Sequence, residues 1–193
     1  MSGVGFELRK EEEQLLGLLA VTSIVSHLQG MDNSPDRVCS EKDLSPTVRK
    51  ELGSFVTLHK GGNLRGCIGT IVGREPLWRN VWRMARAAAF EDPRFAPLKE
   101  PEWAQVDMEI SVLGPLSPCP DTAAIEIGRH GLLLAHAGHS GVFLPQVPVE
   151  QGWDVPAYLH HLCLKAGLAP GSWEKPGAQL YWYEARVFPV EKV

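Results

Sequence analysis

Cys67 is the residue of this sequence best suited to covalent chemistry. It lies in the segment Asn63–Thr70, where Gly66 and Gly69 bracket a cysteine and an isoleucine and Arg65 comes just before them. A glycine inside an extended run usually marks a bulge or a close approach by another backbone or a ligand. A nearby cation makes a thiol a better nucleophile by stabilising the thiolate. The pattern indicates a candidate nucleophile, and a buried cysteine that packs as a small hydrophobe is the alternative.

Further polar residues are predicted to line a cleft with this segment. Asp92 and Arg94 flank a proline, and such an arginine can pair with an anionic ligand or, in a purely structural corner, with Asp92 or Glu109. Gln146 follows a proline that cannot donate to a strand ladder, which leaves its amide free to hydrogen-bond. The predicted cleft residues are Arg65, Gly66, Gly69, Asp92, Arg94, Glu109 and Gln146.

The cysteines and histidines do not have the spacing of a metal site. The four cysteines, at positions 39, 67, 119 and 163, include no Cys-x-x-Cys pair, and no two histidines have the helical His-x-x-x-His spacing. We therefore expect free thiols, no metal and no cofactor. A pairing of Cys67 with His59, on the neighbouring strand, stays open as an alternative.

Composition and charge narrow the class of protein. The chain has 193 residues, of which 44% are hydrophobic and 22% charged, as in ordinary globular domains. The net charge of -4 argues against a protein that wraps a phosphate backbone, although a local basic patch, such as a row of Arg79, Arg83 and Arg86, stays open. The N-terminus lacks the features of a signal peptide, and the most apolar window is too polar to span a bilayer. We expect a soluble, cytoplasmic protein.

The first half of the chain is predicted to form a helix, a hairpin, a helix and a strand. The helix over residues 9–29 has apolar residues at steps of three and four, which predicts one buried face. That face consists of Leu15, Leu18, Leu19, Thr22, Val25 and Leu28. A strand over 53–59 and the strand that carries Cys67 flank a glycine turn, so Cys67 lies on the return strand of the hairpin. A helix over 76–91 and a strand over 106–113 follow.

The second half is predicted to repeat the order of hairpin, helix and strand. The hairpin joins strands over 132–136 and 142–146, the helix covers 154–168 behind an Asp154 cap, and the closing strand covers 179–188. No residue-level repeat accompanies this order. The sequence therefore predicts an α+β fold with a structural duplication.

Five short motifs, in this order, resemble those of the AMMECR family, whose prokaryotic members are AmmeMemoRadiSam system protein A. The motifs are Phe55-Val56-Thr57-Leu58, Leu64-Arg65-Gly66-Cys67-Ile68-Gly69, Asp92-Pro93-Arg94-Phe95, Leu144-Pro145-Gln146-Val147 and Lys165-Ala166-Gly167-Leu168. The resemblance implies one domain over residues 1–193, with two hairpin–helix–strand repeats and a larger and a smaller lobe. The motifs lie within about 53–193, and the N-terminal helix is expected to pack on that part.

The resemblance also implies partners, namely a Memo-type protein, similar to extradiol dioxygenases, and a radical SAM enzyme. It implies no defined reaction, and no sequence motif of a known reaction class is present to supply one. Two hypotheses remain. The chain is an accessory or binding component of such a system, or it is an enzyme that uses Cys67 as a nucleophile in a cleft with Arg65, Asp92 and Arg94.

Overall fold

The structure, a computed structural model, describes residues 7–192. The chain forms two compact units. The first, here called the N-terminal unit, comprises Glu7–Leu113 and residues 186–192, and the second, the C-terminal unit, comprises Gly114–Ala185. The long last strand, β7 (Gln179–Val190), contributes residues to both units.

The N-terminal unit contains an antiparallel sheet with a helix packed on it and a second helix packed on the first. Its helices are α1 (Lys10–Leu28), α2 (Leu77–Phe90) and the short α3 (Glu100–Trp103). Its strands are β1 (Gly53–Lys60), β2 (Asn63–Thr70) and β3 (Val106–Leu113), in the spatial order β2-β1-β3. The predicted first hairpin, its helix and the strand over 106–113 are therefore present.

A β-bulge in the first hairpin decides which way Cys67 points. His59 pairs with Leu64 but Leu58 pairs with Gly66, so Arg65 is the extra residue on β2. Without this shift, Cys67 would lie opposite Val56, which is fully buried. With the shift, Cys67 lies opposite Thr57. Because side chains alternate along a strand, one extra residue exchanges the two faces of everything beyond it.

The two glycines of the motif allow close packing. A Cβ atom on Gly66 would lie 2.2 Å from the carbonyl oxygen of Ala88, near the end of α2. A Cβ atom on Gly69 would lie 2.2 Å from the ring of Phe55, its partner on β1. Neither approach is possible for a larger residue, so both glycines are required by neighbours within the unit.

Helix α1 is present as predicted and buries Leu19, but most of the predicted face is not fully buried, and that part of the prediction was wrong. Leu18 is 54% exposed. The buried residues are Glu12, Glu13, Leu16, Gly17, Leu19, Ala20, Ser23, Ile24 and Ser26. The carboxylates of Glu12 and Glu13 are tolerated there because Ser45 donates to the first and Arg186 to the second. Since both donors are distant in sequence, periodicity alone could not identify this face.

The C-terminal unit contains a second hairpin that packs on a helix. Its strands include β4 (Ser117–Pro118), β5 (His130–His136) and β6 (His139–Phe143), and β5 lies between β6 and the first part of β7. Its helices are α4 (Gln146–Gln151) and α5 (Val155–Lys165). Asp154 caps α5 as predicted, because its carboxylate accepts a hydrogen bond from the amide of Ala157 at 2.9 Å.

The strand predicted over residues 142–146 extends too far, and its C-terminal end was wrong. Strand β6 stops at Phe143, and Pro145 then adopts helical φ and ψ angles of -58° and -31° at the start of α4. Proline is well suited to this position because its fixed φ is already that of a helix. Gln146 is consequently the first residue of a short helix and has no place in a strand.

The mixture of helices with antiparallel strands confirms the predicted α+β class. Within residues 7–192, no helix combines the length and the apolar composition that crossing a membrane requires.

Candidate functional site

Cys67 lies near the middle of β2, and its side chain is on the face of the sheet that α2 does not cover. Gly66 faces α2, and successive residues of a strand point to opposite sides. The thiol is partly exposed, and its sulfur lies 3.3 Å from the hydroxyl oxygen of Thr57 on β1. Thr57 is also opposite Glu109 on β3. Cys67, Thr57 and Glu109 therefore form one row across the three strands, here called the cross-strand row.

The main chain of Cys67 is held by two side chains from the corner after α2. Its amide donates to the Oδ2 atom of Asp92 at 2.9 Å, and its carbonyl oxygen accepts from Nη2 of Arg94 at 3.2 Å. Asp92 and Arg94 also bind each other, through Nε to Oδ1 at 2.9 Å and Nη2 to Oδ2 at 2.7 Å. This arrangement, here called the Asp92–Arg94 clasp, binds the corner to the motif.

The carboxylate of Asp92 is strongly favoured in its charged form. Its side chain is only 2% exposed. The hydrogen bond from the Arg94 side chain, supported by the amides of Cys67 and Arg94, holds the pKa of Asp92 well below its usual range against the opposing effect of burial. The clasp therefore stays charged throughout the neutral and mildly acidic range.

Arg65 is engaged by a carboxylate from α3. Its Nη2 lies 3.1 Å from Oε2 of Glu102, and its side chain is 13% exposed. Glu102 also accepts from Nζ of Lys60 at 3.1 Å. The hydrogen bonds from Arg65 and then Lys60 lower the pKa of Glu102 to about 2. The cation predicted to activate the thiol is thus half of an ion pair with a carboxylate 37 residues away.

The predicted cleft residues divide between the two units. The structure brings seven of the predicted site residues together in the N-terminal unit, and these are Arg65, Gly66, Cys67, Gly69, Asp92, Arg94 and Glu109. Gln146 lies in the C-terminal unit, at the start of α4. The roles of these residues in binding a ligand stay predictions.

Two residues that contact the motif were not identified from the sequence, namely Thr57, next to the thiol, and Glu102, which binds Arg65. Thr57 lies within the quoted motif Phe55-Val56-Thr57-Leu58, but its position opposite Cys67 depends on the bulge at Arg65, which no turn rule predicts. Glu102 lies in a four-residue helix that the prediction did not contain. The alternation of Glu100 and Glu102 before Trp103 offered no distinctive pattern.

The described residues give little support to three alternatives, namely a histidine partner for Cys67, a metal site and a free basic patch. Within residues 7–192, no histidine hydrogen-bonds to the Cys67 thiol, and no group of three His, Cys, Asp or Glu side chains is arranged to hold a metal ion. The arginines of α2 are engaged locally. Arg79 pairs with Asp36, Arg83 pairs with Glu75, and Arg86 lies over the ring of Trp82.

The fold and the site define an α+β protein whose glycine- and cysteine-bearing edge strand is fixed by an Asp-Pro-Arg corner. The family model AMMECR1 matches residues 18–188. The chain therefore belongs to the AMMECR1 family.

Relatives cover almost the whole chain. Protein MK0488 of Methanopyrus kandleri is 39% identical over 98% of this chain and 93% of its own length. A protein of Methanothermobacter thermautotrophicus is 38% identical over 94% of this chain and 95% of its own. The crystal structure of an uncharacterised protein from Pyrococcus horikoshii has 34% sequence identity and a TM-score of 0.82, over 95% of this chain and 94% of that one.

Proposed function

We propose that this chain is a non-catalytic accessory component that binds partner proteins, and that its partners are a Memo-type protein and a radical SAM protein. The partner classes follow from the resemblance of its motifs to AmmeMemoRadiSam system protein A. The binding role is supported by the chemistry around Cys67.

The observation that carries the proposal is the pairing of both arginines near the thiol. The guanidinium of Arg65 is bound by Glu102 and that of Arg94 by Asp92. A thiol is activated as a nucleophile by a neighbouring cation or base. Here both cations are paired with carboxylates. The group that hydrogen-bonds with the sulfur is the neutral hydroxyl of Thr57. The arrangement supports a fixed surface in preference to a reactive one.

The proposed partner surface is the cross-strand row. Its three side chains are polar, partly buried and carried by adjacent strands, so they form a rigid patch with a thiol, a hydroxyl and a carboxylate side by side. A rigid patch of this kind binds without the entropy loss of ordering a loop.

Mixing the purified chain with Memo-type and radical SAM proteins of the same organism tests this surface. Size-exclusion chromatography of the wild-type protein is expected to show a complex, and Thr57→Arg is expected to abolish it by placing a long charged side chain in the row. Val149→Arg is the matched control, because Val149 is 58% exposed in the C-terminal unit. Equal binding by the two variants contradicts the proposed surface.

A second candidate function is an enzyme that uses Cys67 as its nucleophile. The partial exposure of the thiol favours it. Mass spectrometry of iodoacetamide-treated protein compares the alkylation rate of Cys67 with that of a free cysteine peptide at neutral pH. A rate for Cys67 at least about tenfold above that of the peptide would favour the enzyme. A rate equal to or below that of the peptide supports the accessory role.

A further inference from the structure

The outer edge of β2 has no neighbouring strand among residues 7–192, since β2 is the end strand of its sheet. The amide of Cys67 donates to Asp92 and therefore points away from β1. In an antiparallel pair, every second residue directs its amide and carbonyl to the same side. Gly69, two residues on, consequently presents its main-chain groups at the same outer edge as Cys67. Such an edge is a template for pairing with another strand.

The Asp92–Arg94 clasp supplies, at this edge, the hydrogen-bonding groups that a neighbouring strand would supply. A neighbouring strand residue would offer Cys67 one carbonyl acceptor and one amide donor. Oδ2 of Asp92 provides the acceptor at 2.9 Å and Nη2 of Arg94 provides the donor at 3.2 Å. The two side chains also hold each other through two hydrogen bonds, which keeps both in place.

We propose that the Asp92–Arg94 clasp closes the outer edge of β2 against a second copy of this chain. The geometry of the strand makes self-pairing feasible. In an antiparallel pair of two β2 strands centred on Cys67, the amide and the carbonyl of Cys67 in one copy would bond to those of Cys67 in the other, because both groups point to the outer edge. The clasp removes the central pair of hydrogen bonds from this arrangement. The clasp therefore opposes self-association of the chain, and this role does not depend on the proposed partners.

The experiment compares Asp92→Ala and Arg94→Gln with the wild-type chain. Sedimentation equilibrium is expected to show at least about tenfold tighter self-association for both variants, because Asp92→Ala frees the Cys67 amide and Arg94→Gln frees the Cys67 carbonyl. Hydrogen exchange at the Gly69 amide is expected to slow in both variants as the protein concentration rises, and exchange at the Cys67 amide is expected to slow in Asp92→Ala. Glu75→Ala is the control, since it breaks the exposed ion pair with Arg83 and leaves the edge untouched.

Arg94→Gln decides the test if Asp92→Ala does not fold. Arg94 is 54% exposed, and its replacement leaves the carboxylate bond to the Cys67 amide in place while freeing the Cys67 carbonyl. Folded variants that self-associate no more than the wild-type chain, with exchange at Gly69 that does not vary with concentration, overturn the proposal. In that case the clasp only supports the fold of its own unit.

Discussion

The carboxylate of Asp92 accepts the amide hydrogen of Cys67 at 2.9 Å, across 25 residues of sequence. This bond joins the glycine-rich strand to the Asp-Pro-Arg corner and makes the two motifs parts of one structure. Because the corner follows α2 directly, the position of the thiol is fixed through the helix that covers the other face of the sheet.

Removing Asp92 is expected to cost more stability than removing Arg94. Asp92→Ala leaves the partly buried Cys67 amide without its acceptor and the guanidinium without its partner, which predicts a loss of about 1–3 kcal/mol. Arg94→Ala removes a half-exposed group and leaves the carboxylate of Asp92, which is 2% exposed, still bound by the amides of Cys67 and residue 94, so a smaller loss is expected. Urea unfolding of both variants measures the difference. The reverse order would contradict the assigned geometry.

Gly66→Ala is expected to destabilise the chain by at least about 2 kcal/mol, because the new methyl group would lie 2.2 Å from the carbonyl oxygen of Ala88. Gly17→Ala is the matched control. Its methyl group would meet a side-chain atom of Val190 at 3.2 Å, and alanine favours a helix by about 1 kcal/mol over glycine. Thermal unfolding compares the two variants. Equal losses would show that the contact with Ala88 does not constrain residue 66.

Glu102→Gln is expected to weaken the acid sensitivity of the N-terminal unit. The folded pKa of Glu102, about 2, lies below its ordinary value of 4.5, so its carboxylate adds stability above pH 4.5 that is lost as the pH falls toward 2. The variant lacks this titration. Urea unfolding as a function of pH in that window is expected to give a shallower slope for Glu102→Gln than for the wild-type chain, and an unchanged slope would contradict the ion pairs with Arg65 and Lys60.

His130 is expected to make the C-terminal unit less stable in mild acid. Burial, and next the charge of Arg129, lower its pKa below the ordinary 6.5, although Glu126 and Glu184 oppose the shift. Its Nδ1 accepts from the amide of Glu126 at 3.0 Å, which requires the neutral ring. Its contribution to stability is therefore complete above pH 6.5 and falls as the pH drops below 6.5.

His130→Asn provides the control for this prediction. Asparagine retains an acceptor oxygen near the Nδ1 position but does not titrate. The free energy of unfolding of the variant is expected to change less than that of the wild-type chain on acidification through pH 6.5. Identical pH dependence in the two proteins would assign the acid sensitivity to other groups.

The sequence predicted local structure well because local rules control it. The glycine turn at Gly61 and Gly62 identified the first hairpin, and Asp154 identified the start of α5. The end of β6 was misplaced because Pro145 begins a helix there, and the helix predicted over 154–168 ends earlier, at Lys165. The class of the fold followed from the order of these elements.

The sequence was less informative about contacts between distant residues. The orientation of Cys67 depends on the bulge at Arg65, and the pairing of Arg65 depends on Glu102 in a helix too short to predict. The buried face of α1 contains Glu13. Its hydropathy alone predicts an exposed position, and its burial depends on the hydrogen bond from Arg186. For Arg65 and Glu13 the deciding partner lies more than 30 residues away in the chain.

Complex formation tests the central claim most directly. The tagged chain is coexpressed with the Memo-type and radical SAM proteins of the same organism and purified through its tag. The account predicts that at least one of the two proteins is retained in stoichiometric amount by the wild-type chain and is lost with Thr57→Arg, which places a charged side chain in the cross-strand row. Retention of neither protein by the wild-type chain, at any ratio of the three, would contradict the accessory role.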